Sequence, residues 1–201
     1  MARIRLTKTE LKTQGDALKR FQRFLPMLQL KKQQLQAEIA LITARVEAVA
    51  AQEEAERHQI GAWVSLFSEA SHDLASLVRL DRVAVDASNI AGVTIPVFKA
   101  IETTPAHLDL FATPAWLDAA AAAITRVMRL KTERAVLERQ RELVTIELNM
   151  TSQRVNLFEK VKIPECRENI RLIKIAIGDA QTASVSRGKI AKGRSRKEDA
   201  A

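Results

Sequence analysis

Apolar residues recur at alternating gaps of three and four along both ends of this chain, and the two stretches flank a short middle rich in Gly, Pro and β-branched residues. The first run reads Leu18, Phe21, Leu25, Leu28, Leu35, Ile39, Ile42, Val46 and Val49; the second reads Val127, Leu130, Leu137, Val144, Leu148, Val155 and Phe158. A repeat of seven drifts slowly around a 3.6-residue helix, so two such helices must supercoil left-handedly to keep their seams in contact. The expected fold class is all-α dominated: a long antiparallel two-helix coiled coil with a short β-hairpin inserted in the middle. A shape of that kind has little room for a pocket and favours a mechanical, scaffolding or docking role over small-molecule chemistry.

Local signals set the expected boundaries. Thr7 followed by Glu10 fits a capping box, with Leu6 and Leu11 as its hydrophobic staple. The seam continues more weakly through Glu56, Ile60, Trp63, Phe67, Ala70, Leu74 and Leu77, which predicts a helix to about residue 80. Gly15 and Gly61 weaken it only locally, since a helical Gly costs about 1 kcal/mol relative to Ala. Pro26 has no amide to offer Gln22 and its ring crowds that carbonyl, so a bend is expected there, with a break into two helices as the competing outcome.

From Val83 to Ile101 the period changes to alternation, Ser88, Asn89 and Gly92 supply turn chemistry, and Pro96 suits an edge or non-bonded position, which together predict a β-hairpin. Glu102 to Ala112 reads as a loop. The long seams, rather than this hairpin, are expected to supply most of the buried apolar area. Thr113 with Pro114 then starts a second helix, cap followed by first-turn proline. It is expected to reach Ile177, kink at Pro164, and stop at Gly178. Four stretches result: a coiled-coil helix over 1–80, a β-hairpin and loop segment over 81–112, a second coiled-coil helix over 113–178 and a basic flexible tail over 179–201. Neither helix can bury its stripe alone, so a single cooperative unit is expected.

Apolar residues make up 47% of the chain but aromatics only 4%, and Tyr is absent, a balance that suits a seam better than a globular enzyme core. No apolar run approaches the roughly 18 residues a membrane span needs. The single cysteine, Cys166, excludes an intrachain disulfide framework, so a cytosolic location is the default. The net charge of +8 is concentrated at the ends: Arg3, Arg5, Lys8, Lys12, Lys19, Arg20, Arg23, Lys31 and Lys32 precede a largely balanced middle, and a second cluster runs from Arg187 to Lys197. Antiparallel helices bring both clusters to one tip, which should seek an acidic partner: nucleic acid, anionic lipid or an acidic protein surface.

Little in the sequence announces chemistry. His58 and His72 would lie some 21 Å apart along a straight helix, and His107 falls in the loop, which argues against a shared metal. Ser71, His72 and Asp73 cannot form a proton relay, because consecutive helical residues point about 100° apart. Cys166, flanked one turn away by Lys162 and Ile170, reads as a helix residue at the seam rather than a reactive thiol. Arg187, Gly188 and Lys189 lack the Gly-rich run of a phosphate loop. Lys8, Lys12, Lys19 and Arg23 could track a nucleic-acid backbone, but no zinc motif, stacking pattern or zipper fork accompanies them. The expectation is therefore no catalytic residue, no metal, no cofactor and no nucleic acid.

Particular residues resemble those of a known family. Thr9, Glu10 and Leu11 followed by Leu18, Lys19 and Arg20 are similar to the N-terminal helix of the D subunits of V-type and archaeal-type rotary ATPases. Asn89 to Val93 with Ile95, Pro96 and Val97 is similar to the middle segment of those proteins. Arg154 to Glu159, then Ile163, Pro164, Ile170, Arg171, Ile173 and Lys174, resembles their C-terminal helix signature. Pro26, and Gln14, Gly15 and Asp16 in the first turns, depart from the family's usual continuous and more basic helix.

The resemblance implies a non-catalytic central-stalk axle. Its termini would rise into a hexamer of alternating A and B subunits, its middle would reach toward the membrane rotor and its coupling subunit, and the F subunit would dock on the lower shaft. It would work at the cytoplasmic face of the membrane without inserting into it, passing torque between ATP chemistry and ion transport. A freestanding coiled-coil adaptor or tether, and an elongated nucleic-acid or anionic-membrane binder, are the readings from other classes.

Overall fold

The computed structural model describes residues 4–61, 77–105 and 116–198. They form a helix α1 (Lys8–Gly61), a hairpin of β1 (Val78–Ile90) and β2 (Val93–Pro105), a helix α2 (Trp116–Asn156), a π-helical segment (Leu157–Lys162) and a helix α3 (Ile163–Glu198). The fold is thus dominated by helix, with one small antiparallel hairpin. Trp63, Phe67, Ala70, Leu74, Thr113 and Pro114, on which boundary expectations rest, lie outside the described residues.

Helix α1 starts where its cap predicts. The Glu10 amide donates to Thr7 Oγ1 at 3.2 Å. The reciprocal half of the box is not made: the Thr7 amide donates to the Arg5 carbonyl, and the Glu10 carboxylate accepts from Gln14 Nε2 instead. The helix is continuous across Pro26, so the break does not occur. One lost hydrogen bond and one ring contact are absorbed in a helix of 54 residues held by a seam on either side of the proline.

Expected and observed structure part company at the hairpin. Val78, Arg79 and Leu80 are strand residues rather than the end of α1, and Glu102 to Pro105 are strand rather than loop. The ladder pairs Val78 with Pro105 at its base and Ile90 with Val93 at its tip, with irregularities at Leu80/Arg82 and Ala84/Val85. Extending the pairing satisfies backbone groups along both strands, which outweighs the weak helical period that ends on Leu77. The turn is Ala91–Gly92, with φ of 49° and 84°. Two consecutive positive φ values are what a two-residue type I′ hairpin turn requires. Asn89 Oδ1 accepts from the Gly92 amide at 2.9 Å, bracing the turn.

Contacts group the chain into two compact units, 31–150 and the pair of segments 1–30 and 151–201. In the 31–150 unit, Lys31 meets Glu147, Glu53 meets Arg134 and Glu56 meets Arg126, so the helices run antiparallel. Leu35, Ile42, Val46 and Val49 of α1 share a core with Leu137 and Val144 of α2 and with Ile95 of β2; Ile90, Ala91 and Val93 pack against it. The hairpin thus adds a third layer, through Ile95, to a core whose other buried residues come from the helical seams. A second cluster joins Leu77 and Val78 to Leu117 and Ala120.

In the other unit, Phe21 meets Phe158 with ring centroids 5.0 Å apart, and Asn169 Nδ2 donates to Gln14 Oε1 at 3.4 Å. Val155, Ile163, Cys166 and Ile173 are buried there. Where a kink is expected at Pro164, the six residues before Ile163 take up a π-helical hydrogen-bond pattern, in which the Ile163 amide donates to the Phe158 carbonyl five residues back. Gly178 does not stop α3, which continues to Glu198. The only glycine with positive φ is Gly92 among the described residues, so Gly178 does not take the left-handed conformation that ends helices.

Candidate docking surfaces

The first candidate surface is the basic stripe on the opening turns of α1. Lys8, Lys12, Lys19 and Arg23 recur at helical spacing on it, joined by Arg20, and all five are exposed. Among the described residues none of them forms an ion pair. Arg3 lies outside the described residues. The same unit holds the distal part of α3, where every position from 178 to 193 is exposed, including Val185 and Ile190 at 59% each. Arg187 Nε donates to the Ala183 carbonyl, and Lys189 and Lys192 stand free of ion pairs among the described residues. A helix with no buried face gains nothing from side-chain packing, which is where most helical stability in proteins comes from.

The 31–150 unit differs in holding three ion pairs between its helices, Lys31–Glu147, Glu53–Arg134 and Glu56–Arg126. Lys31 Nζ lies 2.6 Å from Glu147. The Glu53 carboxylate, 3% exposed, is held by Arg57 at 2.7 Å and Arg134 at 2.8 Å. Arg134 also reaches Glu138. Gln140, buried on α2, donates to the Pro96 carbonyl and ties the hairpin to the helix. Between the hairpin and the helices lies an open cavity of about 380 Å³, lined by Ile42, Arg45, Val49, Phe98, Leu137 and Gln140 among others. Sequence reasoning missed Glu53 and Gln140. The signal was present, because Val46, Val49 and Glu53 continue the three-four spacing and Leu137, Gln140 and Val144 do the same, so each polar residue occupies a seam position that needs a partner.

His58 is exposed, while His72, His107, Ser71 and Asp73 lie outside the described residues. Arg187, Gly188 and Lys189 are helical, not a phosphate loop. Cys166 is buried; that burial pushes its thiol above the ordinary range, Glu165 adds to the shift and Lys162 partly offsets it. Such a thiol is inert as a nucleophile at neutral pH. No group of three or more potential metal ligands occurs, and no helix is long and apolar enough to cross a membrane, among the described residues.

The model of the ATP synthase D-subunit family matches residues 10–193. A V-type ATP synthase D subunit of Borreliella burgdorferi is 45% identical over 192 residues, covering 96% of this chain and 95% of that protein. Those of Chlamydia muridarum and Chlamydia abortus are 33% and 32% identical over 194 residues, covering 95% of this chain and 95% and 93% of their own lengths.

Proposed function

This chain belongs to the ATP synthase D-subunit family and is a non-catalytic central-stalk component of a V-type ATP synthase; from that premise we propose how its surfaces are used. The segments 8–30 and 151–198 form the part of the shaft that turns inside a hexamer of alternating A and B subunits. The observation that carries this reading is the distal α3 helix, exposed on every side from 178 to 193 and bearing Arg187, Lys189 and Lys192. A surrounding protein bore supplies the packing that the helix lacks, and an acidic lining complements both these residues and Lys8, Lys12, Lys19, Arg20 and Arg23, which have no ion pair among the described residues. The paired seams wind as a left-handed coiled coil, as heptad spacing requires.

The 31–150 unit faces the membrane rotor and its coupling subunit, and the F subunit docks on this lower shaft. The complex works at the cytoplasmic face of the membrane, and torque passes through this chain between ATP chemistry and ion transport. Affinity isolation of the full chain from a gently solubilised membrane extract tests the reading. Two large subunits, one with a Walker phosphate loop, together with a small stalk protein, are the expected partners. Recovery of the chain without them, or with nucleic acid retained above about 200 mM salt, overturns it.

A further inference from the structure

The π-helical segment coincides with a slip in the hydrophobic repeat. Up to this point the buried positions Val144, Thr151 and Val155 keep to spacings of the three-four repeat. Beyond it, Ile163, Cys166 and Ile173 keep to it again, with half-buried Ile170 between them. Val155 and Ile163, however, are separated by one residue more than a heptad. In an uninterrupted α-helix that extra residue turns everything downstream by about 100° and carries Ile163, Cys166 and Ile173 off the seam. A π turn closes its hydrogen bond over one more residue, so it absorbs the surplus and returns the apolar face to the seam.

The cost falls on the backbone. The carbonyl of Glu159 would accept from the Ile163 amide in an α-helix, but that amide donates to Phe158. It would accept from residue 164 in a π-helix, and Pro164 has no N–H. The segment thus holds a helical acceptor without a helical donor, on an exposed stretch in which Leu157 and Val161 also face solvent at 44% and 49%.

We infer that Leu157–Lys162 is a torsional joint in the shaft helix: a π turn, held at this place by Pro164, that takes up one surplus residue and exchanges locally with α-helix, turning Ile163 and Cys166 off the seam while the seam upstream stays packed. Twist applied to α3 is then accommodated at one weak turn and the seam residues beside it rather than along the whole seam. This rests on the shaft reading only for its use in rotation; the joint itself is tested on the purified full chain.

Deleting Glu159 removes the surplus residue, making the seam one unbroken heptad series and the segment α-helical. Its melting temperature should rise by on the order of 3 °C. The equivalent deletion of Arg167, an exposed residue within α3, throws Ile170 and Ile173 off the seam and should lower it. The native Cys166, buried one turn past Ile163, reports the exchange: its labelling by a thiol reagent below the unfolding transition should run through a local opening, faster than global unfolding allows. Deletion of Glu159 should slow that labelling about tenfold, whereas P164A, which keeps the surplus residue but supplies the missing N–H to the Glu159 carbonyl, should slow it less. A deletion of Glu159 that destabilises as much as deletion of Arg167, or labelling of Cys166 that follows global unfolding alone in the native chain, overturns the joint. Either result leaves the shaft reading, which is tested by partner isolation, untouched.

Discussion

The same heptad pattern does different work in the two units of this molecule. On the opening half of α1, Leu18, Phe21, Leu25 and Leu28 are only half-buried; further along the same helix Leu35, Ile42, Val46 and Val49 are buried. Spacing and residue type hardly differ between the two stretches. What differs is the third layer: Ile95 of the hairpin enters the second core, and the neighbouring charges are paired across elements. Two helices alone leave the flanks of their seam wet, and a hairpin laid along them closes one flank.

The largest test of this contrast is a pair of truncations. Ile95→Ala should cost about 3 kcal/mol in the unfolding free energy, because it opens a cavity in a buried three-element core. Leu25→Ala should cost about 1 kcal/mol, because its site is already half-wet. Equal losses in denaturant titrations would break the comparison. Arg134→Ala comes next, at about 2 kcal/mol: it strips the buried Glu53 carboxylate of one of its two cations while Arg57 remains. Glu53→Gln in the same background should recover part of the loss, which a double-mutant cycle measures.

Ala91 offers a gain. Its left-handed φ of 49° costs an L-residue about 1 kcal/mol, so Ala91→Gly should raise the stability of the 31–150 unit by somewhat less than that, read as slower amide exchange in the hairpin. Replacing Lys8, Lys12, Lys19, Arg20 and Arg23 together by glutamine should change the stability of the isolated chain by less than about 0.5 kcal/mol, since these charges are exposed and without ion pairs among the described residues. The same variant should weaken assembly with the hexamer, with the defect shrinking as salt rises.

The smallest effect is set by pH. The Thr104 hydroxyl and then Arg79 hold the Asp81 carboxyl below the usual carboxylate range, and Lys99 and then the Ala87 amide do so for Asp86. Folded values below the unfolded ones mean that the contribution is present above about pH 4 and lost as pH falls through the folded values. The protection of hairpin amides against exchange, measured relative to their intrinsic rates, should therefore fall slightly on acidification below about pH 4, and D81N should remove part of that dependence.

Much of this protein is decided locally and can be read from the sequence. The Thr7 cap, the heptad seams, the hairpin with its turn near Asn89 and Gly92, and the family resemblance around Asn156 and Pro164 all depend on residues a few positions apart, where sterics and periodicity act directly. The helix boundary before Val78 and the fate of Gly178 are misread, because a weak periodic signal cannot weigh a helix end against the strand ladder or left-handed turn that competes with it. The sequence also contains the one-residue slip between Val155 and Ile163, but not its resolution: a kink and a π turn both remove a seam mismatch, and only packing against α1, as Phe21 on Phe158, favours the solution that keeps the helix in contact. Tertiary structure alone decides that the hairpin lies against the helices, that Glu53 finds Arg134 and that Gln140 finds the Pro96 carbonyl. These partners are distant in sequence, and the burial that makes their pairing necessary exists only once the chain has folded.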